Sequence, residues 1–250
     1  MEVLGIDIGG TGIKAAIVDT VTGSLVTERY RVETPQPATP EAVVQEVASI
    51  VQHFEWNDII GIGFPAAVVH DVVKTASNID KRWLGVNAAN LIEQITKCPT
   101  HLINDVDAAG YAEMSFGAGK GNKGTVIIAA VGTGIGTALF TEGYLFPNTE
   151  LGFIKVKGIA GEYYAANSVR EKEDLSWMDW GQRLNKYLTR LESLFFPDLI
   201  ILGGGVSKKF EKYEDYIKLE CPIVPADMKN NAAIIGAALA AKHQLIDLKS

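Results

Sequence analysis

The 250-residue sequence predicts an α/β protein built as two lobes around a cleft. Three observations carry that expectation. Short apolar runs that end in glycine or Asn-Asp alternate with stretches of helical period. A strand–glycine-turn–strand unit occurs twice, as DIGGTGIKAAIVDTVTG from Asp7 and as VGTGIGTALFTEG from Val131. A third apolar run, Leu199–Leu202, ends in Gly203-Gly204-Gly205.

Val3–Ile8 reads as a buried strand, Ile13–Asp19 as its return and Ser24–Thr34 as a third strand. The Pro-rich segment Pro35–Pro40 connects to a helix with Thr39 as N-cap and Pro40 as first helical residue. Val43, Val44, Val47, Ile50 and Val51 fall on one face of that helix, which runs to about His53. Ile59–Phe64 and Val68–Val73 read as strands, Asn87–Thr96 as a short helix, and His101–Ile103 as a strand ending at Asn104-Asp105. Val106–Phe116 is helical. Thr125–Val131 and Thr137–Phe140 repeat the opening hairpin, Ser176–Phe196 is a long helix and Asn230–His243 the closing one. The lobe boundary is placed in the glycine-rich Phe116–Gly124 segment. That gives lobes of 1–116 and 117–250, with 230–250 packing near their junction.

Composition excludes several classes. A net charge of −7 argues against a nucleic-acid partner or a membrane surface. The N-terminus lacks a basic n-region, and no apolar run reaches the length of a membrane span. Cys98 and Cys221 give neither a disulfide framework nor zinc-ligand spacing, so no zinc is expected and a reducing cytoplasm fits best. The four histidines form no metal constellation.

The chemistry is expected at the glycine turns. In DIGGTGIK, the N–H groups of Gly9, Gly10 and Gly12 can approach phosphate oxygens without hindrance from a Cβ. Thr11 adds a hydroxyl and Lys14 a positive charge. Asp7, at the strand end, is placed to hold Mg²⁺ directly or through water. Gly132, Thr133 and Gly134 offer the same donors again, and Gly204 and Gly205 offer bare backbone to a phosphate chain or a nucleotide. Neither hairpin turn has P-loop spacing, and both lead into strands rather than helices, which argues against a dinucleotide site. Asn104-Asp105 stands at a strand end before a helix, where open α/β sheets place their chemistry. Asp105 either caps that helix or accepts the proton of an attacking hydroxyl. Asn78 and Glu150 lie in loops and are of the types that match adjacent sugar hydroxyls. Lys81-Arg82, Lys208-Lys209, and Lys120 with Lys123 are basic pairs able to guide a polyanion.

Taken together, GIDIGGTGIK, TPQPATPEAV, SNIDKRWLGVNA, INDVDAAG, GTGIGTALF, FPNTELG, PDLIILGGGVSKKF and NNAAIIGAALAA resemble the ROK family of bacterial sugar kinases. Within that family the sequence is most similar to the polyphosphate glucokinases. The resemblance implies a ribonuclease H-like (actin/hexokinase-like) fold and a homodimer. It implies phosphoryl transfer from inorganic polyphosphate or ATP to the 6-hydroxyl of glucose. Asp105 would be the general base, Asn78, Asn104 and Glu150 would hold glucose, and the glycine turns would hold the phosphates with Mg²⁺. Two alternatives remain: an ATP-dependent kinase of glucose, mannose or an amino sugar, and a sugar-sensing regulator lacking a DNA-binding domain. The sequence departs from the family pattern at Phe153, where the E-x-G-H segment has histidine, and at Pro65-Ala66 in place of Pro-Gly.

Overall fold

The computed structural model describes residues 1–77 and 79–247. The chain forms two compact units, Met1–Ala112 joined by the segment from Asn230, and Glu113–Lys229.

In the first unit β1 (Glu2–Ile8) runs antiparallel to β2 (Ile13–Asp19), with Asp7 opposite Lys14. β3 (Ser24–Leu25) and β4 (Tyr30–Val32) both pair with β2. The single strand expected over Ser24–Thr34 is therefore broken. Val26 N–H donates to the Ile17 carbonyl and the Ile17 N–H donates to Thr27 Oγ1, so a side chain substitutes for ladder pairing there. α1 (Pro40–His53) starts as expected, with Thr39 Oγ1 accepting from the Ala42 N–H, and buries Val43, Val44, Val47, Ile50 and Val51. β5 (Ile60–Phe64) lies parallel to β1. Val68–Val73 is a tight hairpin, β6 (Val68–Val69) and β7 (Val72–Val73), and not one strand. The chain reverses because His70 and Asp71 take φ of 51° and 60°, a region that His and Asp enter more readily than most residues. α2 (Ala88–Thr96), capped by Asn87, leads into β8 (Thr100–Asn104) and α3 (Asp105–Phe116). The sheet order is β3-β2-β1-β5-β8.

The C-terminal helix Ala232–Lys242 packs on β1, β5 and β8. Its assignment to the lobe 117–250 is thus corrected: it belongs to the first unit. Nearly all of it is buried, so it shows no polar face from which its partner sheet could be read. The close approach depends on small residues. A Cβ on Gly61 would run into the Ala237 carbonyl, and one on Gly236 into the Ala108 carbonyl.

In the second unit β9 (Val126–Val131) and β10 (Ile135–Thr141) form the repeated hairpin, and β11 (Tyr144–Phe146) adds an edge. A small hairpin of β12 (Lys155–Val156) and β13 (Ile159–Ala160) follows. Next come two short helices the sequence did not predict, α4 (Gly161–Ala165) and α5 (Asn167–Lys172). α6 (Trp177–Phe195) is capped by Ser176 and buries Trp180, Leu184, Tyr187, Leu188 and Leu191. β14 (Leu199–Gly203) pairs in parallel with β9 and with β15 (Ile223–Pro225), giving the order β11-β10-β9-β14-β15. The buried Glu113 carboxylate accepts N–H groups from Ala118, Asp227 and Met228, tying the two ends of this unit together. No described helix is long and apolar enough to cross a membrane.

Candidate active site

Parallel pairing aligns the strand ends of the first unit. Asp7 on β1 stands opposite Gly63 on β5, and Phe64 opposite Asn104 on β8. Strands lie about 4.8 Å apart, so Asp7 and the Asn104-Asp105 pair share one sheet edge at a separation of about 10 Å. This carboxyl edge is where open α/β sheets bind ligands.

The first glycine turn begins here. Lys14 Nζ pairs with Asp7 Oδ2 at 2.9 Å, and the Gly9 N–H closes the turn on the Gly12 carbonyl at 3.1 Å. The remaining carbonyls are taken up by side chains from the next segment. Thr34 Oγ1 donates to the Gly9 carbonyl, Gln36 Nε2 to Gly10 at 3.2 Å and an Arg31 guanidinium N–H to Thr11 at 3.1 Å. With its oxygens held back, the turn presents its N–H side to solvent at the exposed Gly10 and Thr11. That polarity suits an anion. The lone carboxylate of Asp7, beside the turn and no part of a larger ligand cluster among the described residues, fits Mg²⁺, which keeps most of its waters and takes one or two carboxylates.

Asn104 and Asp105 divide the helix start between them. Asn104 Oδ1 accepts from Val106 N at 2.9 Å and Asp107 N at 3.1 Å, and its Nδ2 donates to the Ala66 carbonyl at 3.1 Å. Asn104 therefore caps α3, the role that Asp105 could have held, and keeps one N–H to offer a ligand. Asp105 is half-buried at the first helical position, with Oδ1 2.9 Å from the Val106 N–H. A cavity of about 390 Å³ opens in this unit between Gly9-Gly10, Thr34, Gln36, Pro65 and the loop residues Ser77, Ile79 and Asp80. Its size suits a small ligand. Asn78 lies outside the described residues. Asp80 is held down to about 2 by its bonds to the Arg82 side chain and N–H.

In the second unit the turn repeats with different supports. The Gly132 N–H donates to the Gly134 carbonyl at 2.9 Å, while Ser168 donates its Oγ–H to the Thr133 carbonyl and its N–H to that of Gly132. Gly204 sits on the adjacent strand end at φ 78°, so close to Val131 that a Cβ would strike its backbone. Two of the glycine clusters, Gly132–Gly134 and Gly204-Gly205, are thus brought to one edge of this sheet. Glu150 follows β11 in a loop fixed by Thr137, whose Oγ1 donates to the Thr149 carbonyl and accepts from the Leu151 N–H. Loss of hydration first, and the nearby Glu162 second, push the Glu150 carboxyl above its ordinary value. Phe153 is exposed at the end of the turn that follows.

Sequence reasoning missed Arg31, Thr34 and Gln36 as supports of the first turn, and Ser168 and Glu162 beside the second. Only the TPQPATP string pointed to any of them.

Comparison with known proteins gives a consistent answer. Residues 3–163 match the ROK family. A polyphosphate glucokinase from Mycobacterium tuberculosis is 45% identical over 242 residues, spanning 94% of this chain and 89% of the relative. Among solved structures, an inorganic polyphosphate/ATP-glucomannokinase from Arthrobacter sp. strain KM superposes with a TM-score of 0.92 at 44% identity, covering 97% of this chain and 99% of that one. A ROK family glucokinase from Streptomyces griseus superposes with a TM-score of 0.81 at 24% identity, covering 97% and 100%, a likeness of fold alone. The fold is the actin/hexokinase-like one, and the chain belongs to the ROK family.

Proposed function

We propose that this protein is a polyphosphate-dependent glucokinase that moves the terminal phosphoryl group of inorganic polyphosphate, or of ATP, to the 6-hydroxyl of glucose. The observation that carries the reading is the shared sheet edge in the first unit. There a carboxylate at the start of α3 stands near a glycine turn whose carbonyls are tied away from the ligand. The Arthrobacter enzyme and the mycobacterial relative, both named for polyphosphate, support the choice of donor.

Asp105 accepts the O6 proton as that oxygen attacks phosphorus in line. Turn N–H groups stabilise charge on the phosphoryl oxygens without reorganising. Asn104, with its remaining N–H, Glu150 and Asn78 orient the hexose. Mg²⁺, held at Asp7 directly or through water, would neutralise phosphate charge when bound. Lys14, ion-paired with Asp7 at 2.9 Å, holds that carboxylate in place. The protein is taken to act as a homodimer, as the family resemblance implies, and in the cytoplasm, as its two free cysteines suggest.

Mannose is a second acceptor on this reading. Phe153 replaces the family's E-x-G-H histidine with a group that makes no polar contact, and the Arthrobacter neighbour is a glucomannokinase.

The test is a coupled assay of purified protein with glucose or mannose, Mg²⁺, and polyphosphate or ATP. Polyphosphate should support turnover with glucose, and Asp105→Asn should lower kcat by about 10²–10⁴-fold with glucose affinity little changed. Near-normal kcat in Asp105→Asn would remove Asp105 as the base. Turnover with ATP alone would remove polyphosphate as a donor.

A further inference from the structure

Three cations converge on one indole in the second unit. Arg170 Cζ lies 4.2 Å from the Trp177 ring centre, Lys209 Nζ 5.6 Å and Lys212 Nζ 6.0 Å. No two of them can be farther apart than a distance comparable to the Debye length of about 10 Å, so they repel one another. Arg170 has partial compensation, from Glu171 at 3.7 Å and a bond to Asn167 Oδ1 at 3.1 Å. Among the described residues, no carboxylate lies within ion-pairing distance of Lys209 or Lys212. A single cation would satisfy the indole. The other two are exposed, so water and salt screen part of the repulsion they add, and an anion shared among the three would relieve the rest.

The platform is fixed. Trp177 stacks on Tyr213 at 5.8 Å and 18°, and the buried Tyr213 hydroxyl donates to the Val206 carbonyl at 3.1 Å. Both arms of the cluster grow from the glycine turns of the same unit. Arg170 is on α5, whose Ser168 bonds the Thr133 carbonyl. Lys209 and Lys212 are on the 3₁₀ segment Gly205–Lys212, which begins at the last glycine cluster and kinks at Lys209. At about 2 Å per residue, Lys209 stands roughly 8 Å along from Gly205.

We propose that Arg170, Lys209 and Lys212 on the Trp177 platform form a subsite for the distal phosphates of a linear inorganic polyphosphate. The inference rests on the donor reading above and identifies where the chain beyond the reacting group is held. A nucleotide base is the poorer fit, because Tyr213 stacks on the indole and Arg170 lies over it.

The test compares wild type with Lys209→Met/Lys212→Met, which keeps the apolar stems. KM and kcat are measured with long-chain polyphosphate and with ATP at low and high salt, and long-chain polyphosphate binding is measured directly without glucose. The double variant should raise KM for long-chain polyphosphate about tenfold or more, tenfold corresponding to about 1.4 kcal/mol. Its kcat and its KM for ATP should hold, and its salt dependence should flatten. An unchanged polyphosphate KM, or equal rises for polyphosphate and ATP, would overturn the subsite while leaving the donor reading intact. Wild type that binds polyphosphate through these lysines but turns over only ATP would overturn the donor reading instead. Wild type that neither binds nor uses polyphosphate would overturn both.

Discussion

The two glycine hairpins share a backbone plan and differ in charge. In the first, Asp7 and Lys14 face each other across the ladder and are ion-paired. In the second, the strand positions flanking the turn, Ala130 opposite Gly136, carry no charge, and the Ile135 N–H donates to Glu162 Oε2 at 3.4 Å. The first turn has its carbonyls bound by Thr34, Gln36 and Arg31 side chains; in the second, Ser168 binds the Gly132 and Thr133 carbonyls. One backbone device has therefore been given two electrostatic roles. The first carries an ion pair beside its turn, and the second, through Thr137, fixes the Glu150 loop.

That difference can be broken most sharply at Asp7. Asp7→Asn should lower kcat by about 10²-fold or more with every donor, the scale of losing one preorganised electrostatic group. Glu162→Gln, the corresponding change at the second turn, should leave kcat little altered. Equal effects from the two, read by steady-state assay, would erase the distinction. A smaller effect is expected at Thr34. Thr34→Val frees the Gly9 carbonyl, a loss of about 1 kcal/mol, and should raise donor KM about fivefold while sparing glucose KM. Thr34→Ser should restore it. A purely structural role would lower the unfolding midpoint and leave the donor-to-glucose KM ratio unmoved.

The smallest effect concerns Glu150. Its carboxyl is raised in the folded protein, so it favours the folded state fully below the unfolded value and loses that contribution as pH rises through the folded one. Glu150→Gln should thus be the more stable protein at neutral pH, with the gap closing on acidification through the carboxylate range. Glucose KM in wild type should rise over the same acid range as the acceptor is protonated. Denaturation curves of both proteins across pH check the first statement, and glucose titrations the second.

Much of this was legible in the residues. The two glycine hairpins and the helix start after Asn104 stand where the residues placed them, because strand termini and helix starts obey local rules. The capping alternative for Asp105 could not be decided locally, since Asn104 and Asp105 are both good caps and only the bonds to Val106 and Asp107 tell them apart. Thr34 and Gln36 were hidden for another reason. They reach back about 25 residues to Gly9 and Gly10, and no periodicity encodes a side chain that bonds a distant carbonyl. α4 and α5 are too short to show an apolar period. Nothing in the spacing of Trp177 shows three cations arriving from two other segments.

The C-terminal helix on the first sheet also sets an order of events during synthesis. Every residue of the Glu113–Lys229 unit is synthesised before Asn230, so completion of its core does not depend on the C-terminal segment. The sheet made earliest must wait, its Gly5 and Gly61 surface uncovered, until the last-made helix arrives to seal it. A stop codon placed just after Lys229 would leave the middle of the protein folded and its beginning exposed to chaperones and proteases.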